Sequence, residues 1–99
     1  MAEPDIAERF RRAVRTLATL PEVIQERVGR AWLDLVAVRP AALPGELGAH
    51  LAELHRQWEA DEDEVREGKI MVASHRLTVD RAVEEARWIV DAAAALRGG

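Results

Sequence analysis

Apolar residues recur at alternating spacings of three and four along most of this chain, and prolines cut the pattern into helix-length pieces. That spacing is the signature of one covered helical face. Ile6, Phe10, Ala13, Val14 and Leu17 place a first helix at about residues 5–18. Pro21 suits the first turn of a second helix, with Glu22 favourable at its positive end, and Arg39-Pro40 stops it near residue 38. Pro44 opens a third, at about 44–60, whose buried stripe is Leu47, Leu51, Leu54 and Trp58. Thr78 is placed to cap a last helix at about 79–97, with Leu77 and Ala82 as a hydrophobic staple and Gly98-Gly99 as its stop. The expectation is all-α: a small antiparallel four-helix bundle. Ile70 and Val72 favour extended structure, so a short extended segment at 69–74 is kept as an alternative.

With 99 residues the chain supports one domain, residues 1–99, and one modest core. Its 48% hydrophobic and 32% charged composition is that of a folded chain. There is no cysteine, which removes disulfides, thiolate catalysis and cysteine-held metals. The start, Met1-Ala2-Glu3-Pro4-Asp5, lacks the basic and apolar stretches of a signal peptide, and no apolar run reaches the ~20 residues of a membrane span. A cytoplasmic setting is therefore expected. Thirteen arginines against one lysine (Lys69), with abundant alanine, suit a GC-rich bacterial or phage genome. The net charge of −4 is local: residues 59–68 carry six acids against Arg66 alone, an acidic connector that prefers solvent.

Helical projection then sorts the faces. In the last helix Val79, Val83, Ala86, Ile89, Val90, Ala93 and Leu96 form the expected core stripe, which leaves Trp88 on the opposite side with Ala92 and Ala95. Tryptophan is costly to leave in water and is enriched among binding hot spots. The second helix is apolar over an unusually wide arc, with Trp32, Leu33 and Val36 beyond its main face and Gly29 where a neighbouring backbone could approach closely. Together these suggest more apolar surface than one copy hides. The partner-binding candidates are thus Trp88, Ala92, Ala95, Trp32 and Val36. They point to a small accessory, adaptor or inhibitor-like interaction module, expected to self-associate as a homodimer; a foreign protein partner requires the same surplus.

Other chemistry is weaker. Arg9, Arg11, Arg12 and Arg15 cluster on the first helix, the basis of an alternative reading as a nucleic-acid-binding regulator. Glu46, His50 and Glu53 share a strip of the third helix, a donor set for a divalent ion or an acid–base pair, but no other helix offers a matching Glu-x-x-His. This makes a metal-dependent enzyme the least favoured reading. The run from Asp61 fails as a calcium loop, because Arg66 stands where glycine is needed and Val72 where glutamate is needed. No phosphate-binding glycine loop occurs, and Ser74 is the one serine. No enzyme activity, catalytic residue, cofactor, metal, membrane or small-molecule substrate is expected.

Overall fold

A computed structural model of the chain describes residues 5–58 and 66–98. They form α1 (Ile6–Thr19), α2 (Ile24–Leu35), a 3-10 turn (Pro40–Ala42), α3 (Gly45–Trp58), α4 (Arg66–His75) and α5 (Val79–Gly98). There is no strand among the described residues, and no helix among them is long and apolar enough to cross a membrane.

Among the described residues there are five α-helices where four were expected, because the ambiguous segment is α4. Its helical register buries Ile70 and Ser74, one turn apart, against α2. Burial overrides the extended preference of Ile70 and Val72, and a lone strand would have had no partner to pair with. Residues 59–65 of the acidic connector lie outside the described residues, while Arg66–Gly68 belong to α4.

Helix boundaries follow local chemistry. Asp5 caps α1 by accepting from the Glu8 amide at 3.2 Å. Thr78 caps α5 in the same way, accepting from the Arg81 amide at 3.1 Å, and Ala82 is buried one turn on. The second helix starts at Ile24, three residues after Pro21, and ends at Leu35. Arg39, before Pro40, is extended as its position dictates (φ −80°, ψ 131°).

The central element is α2, packed against α1, α4 and α5. Its pairing with α4 is antiparallel: the Gln25 side chain donates to the Leu77 carbonyl at 3.4 Å, Glu26 lies 3.6 Å from His75, and Gly29 faces Ser74. Gly29 makes this approach possible. A Cβ there would stand 2.3 Å from Ser74 Oγ and 2.8 Å from Ser74 Cβ. Phe10, Val28, Trp32, Leu35, Leu51, Leu54 and Trp58 fill the core, with the Trp32 and Trp58 rings 5.4 Å apart.

Candidate interaction face and the buried Glu85 cluster

The facing of α5 departs from the sequence expectation. Its fully covered line is Ala82, Glu85, Ile89 and Ala92, while Val79 is 57% exposed and Val90 46% exposed. Both valines belonged to the expected core stripe. Trp88 is half-buried and wedged between helices: its ring meets Phe10 of α1 at 5.7 Å, edge to face, and His50 of α3 at 4.4 Å. Seating one indole removes more apolar area from water than covering one valine, so the helix is turned toward Trp88.

This rearranges the partner-binding candidates. Trp32 and Ala92 are buried in the chain's own core and present nothing to a partner. Val36 and Trp88 are half-buried against that core, and Ala95 alone of the five is exposed. They do not form one surface.

The apolar surplus lies elsewhere. A trough follows the seam of α1 and α5, with Val14 and Val90 shared by its two stretches. One stretch continues past Ala93 and Ala94 toward Arg97, the other past Leu17, Val83 and Ala86 to Ile24. Beyond Ile24 it opens onto Val79 and Val23, the latter 68% exposed. Charges of both signs rim it: Glu8, Arg11 and Arg97 at one end, Arg27, Arg87 and Asp91 along the other. Val90 and Val79 could have been suspected from the sequence, since the apolar arc of this helix spans more than one neighbour can cover.

A second feature joins α3 to α5. Glu85, only 2% exposed, meets His50 through an Oε1–Nε2 contact of 2.9 Å, and its other oxygen lies 3.4 Å from Arg81. A buried carboxylate is costly unless paired and hydrogen-bonded, and here it has both an imidazole and a guanidinium. His50 therefore turns to Glu85 and away from its expected strip-mates. Glu46 is exposed, and Glu53 pairs with Arg56. That hydrogen bond, with the positive charge behind it, holds the Glu53 carboxyl below the usual glutamate range. Among the described residues no three His, Cys, Asp or Glu side chains gather as a metal-holding group.

A carboxylate–imidazole pair can orient a general base. The chain's four hydroxyl side chains, however, are engaged elsewhere. Ser74 donates to the Met71 carbonyl at 2.8 Å, Thr19 to the Arg15 carbonyl at 2.8 Å and Thr16 to Asp34 at 3.1 Å, while Thr78 caps α5. The pair acts as a clasp between α3 and α5. Glu85 was missed in the sequence because its partner is 35 residues away, beyond any local spacing rule.

On α1, Arg11 is hydrogen-bonded to Glu8 and Arg12 lies 3.9 Å from the same carboxylate. Arg9 and Arg15 complete the face, with Arg15 exposed. Glu8 thus partly neutralises the arginine cluster.

Compared with known proteins, the chain matches no family model, no curated protein and no solved structure.

Proposed function

We propose that this chain is a protein-association module that pairs with a second copy of itself through the α1/α5 trough. The observation that carries the reading is the exposed valine edge of α5, Val79 and Val90, continuous with Val14, Val83 and Ile24. Apolar surface of this kind, rimmed by polar groups, is characteristic of association sites on small folded proteins. A second copy is favoured as occupant because the rim carries both signs of charge, so the face suits itself across a two-fold axis.

Sedimentation velocity on the parent, Val90→Glu and Trp88→Glu tests this. The parent should sediment faster as concentration rises. Val90→Glu should stay slow while melting like the parent, since residue 90 is half in solvent already. Trp88→Glu should lose stability, because its ring fills space between Phe10 and His50. A Val90→Glu protein that associates like the parent overturns the reading. Association with nucleic acid through the arginine face of α1 is separated by salt, since phosphate contacts weaken steeply as salt rises and an apolar interface does not.

A further inference from the structure

The charges beside the valine edge carry the partner's orientation, and this inference rests on the association reading above. Asp80, Arg87, Asp91 and Arg97 are exposed on α5, and none of them makes an ion pair among the described residues. By contrast, Arg81 on the same helix is held by both Glu84 and Glu85. At 100° per residue Val79, Val83, Ala86 and Val90 share one edge, and Asp80, Arg87 and Asp91 all fall on the same flank of it.

Such a flank is self-complementary in one arrangement. When two copies of a helix pack antiparallel about a two-fold axis, residue i meets j′ and j meets i′, and each flank meets its own counterpart. We propose that α5 packs antiparallel against α5 of a second copy, with the axis passing near Ile89. Arg87 then meets Asp91 of the other copy and Asp91 meets its Arg87, since each lies two residues from the axis. Asp80 is brought opposite Arg97, and Val83 opposite Ala94, a large side chain over a small one. A parallel two-fold arrangement would put the two charged flanks on opposite sides of the seam, so Arg87 and Asp91 of one copy would not meet those of the other. The unpaired charges and the apolar edge are satisfied together only in the antiparallel register.

The chain has no cysteine, so a single introduced thiol reports its own copy without competition. At a rise of 1.5 Å per residue, Val90 lies only about 3 Å along the axis from its counterpart, whereas Val79 is about 30 Å from its own. With packed helices ~8–10 Å apart, the two residue-90 Cα atoms come within about 5–6 Å, inside disulfide range. Under mild oxidation Val90→Cys should give a covalent dimer and Val79→Cys should not. In a second arm, Arg87→Asp alone and Asp91→Arg alone should each weaken dimerisation about tenfold, by turning two attractive cross-pairs repulsive. Mixing the two variants should restore a one-to-one heterodimer of parental affinity, because both cross-pairs become attractive again.

Equal crosslinking at residues 79 and 90, or single charge variants that dimerise like the parent, would overturn the register while leaving association intact. A parent dimer in which neither thiol crosslinks would do the same. A parent that is monomeric at every concentration removes the association reading itself, and the register with it.

Discussion

Replacing Gly29 by alanine should destabilise the protein, although alanine is the better helix former by about 1 kcal/mol. The new Cβ would stand 2.3 Å from Ser74 Oγ, 2.8 Å from Ser74 Cβ and 3.0 Å from Met71 Sδ. Met71 can bend away, and the Ser74 hydroxyl can rotate at the expense of its 2.8 Å hydrogen bond to the Met71 carbonyl. Ser74 Cβ cannot move without its backbone, and carbon–carbon contacts settle at about 3.5–4.0 Å. Helices α2 and α4 must therefore separate by roughly 1 Å. Overpacking of that order costs ~1–3 kcal/mol, with loss of the buried hydroxyl bond adding about 1 kcal/mol. After the propensity gain the net loss is about 1–3 kcal/mol, or a Tm lower by roughly 4–24 °C in a domain of this size. Urea and thermal melts followed by far-ultraviolet circular dichroism measure it. Adding Ser74→Gly to the variant removes both serine atoms, so the double variant should lose at least ~1 kcal/mol less than the two single losses combined. A Gly29→Ala protein more stable than the parent would refute the close approach of α2 and α4.

Two further predictions concern charged groups. His50→Ala leaves buried Glu85 with Arg81 as its remaining partner and should cost about 1–3 kcal/mol in a urea melt; an unchanged midpoint would mean the clasp between α3 and α5 contributes nothing. Glu53 should titrate below the ordinary glutamate range by NMR, and Arg56→Gln should return it toward that range. Because its folded value is depressed, the pair's contribution is present above the ordinary carboxylate range and is lost as pH falls through the lowered value; an unshifted Glu53 contradicts this.

The all-helical class was legible because hydrophobic periodicity is a local signal, as the covered stripe Leu51, Leu54 and Trp58 of α3 illustrates. Capping by Thr78 and the close approach at Gly29 were legible for the same reason, each depending on a few residues and one backbone conformation. The α4 segment was not, since Ile70 and Val72 lean toward strand and only contact with α2 decides otherwise. Nor was the rotation of α5. A helix apolar over a wide arc has several ways to face, and the choice fell to Phe10 and His50, which together seat Trp88. That choice moved the exposed apolar surface from Trp88, Ala92 and Ala95 to Val79 and Val90. Glu85 was hidden by the same gap, being a carboxylate on the covered side of a helix whose partners include one on a distant helix.

Self-association through the valine edge is tested most directly by the absolute molar mass of the parent in solution, by light scattering on a sizing column loaded over a range of concentrations up to about 100 µM, a level at which even a micromolar dimer is nearly complete. The account predicts a mass rising to twice the 11.0 kDa of the chain. A mass that stays at 11.0 kDa at every loading would contradict it.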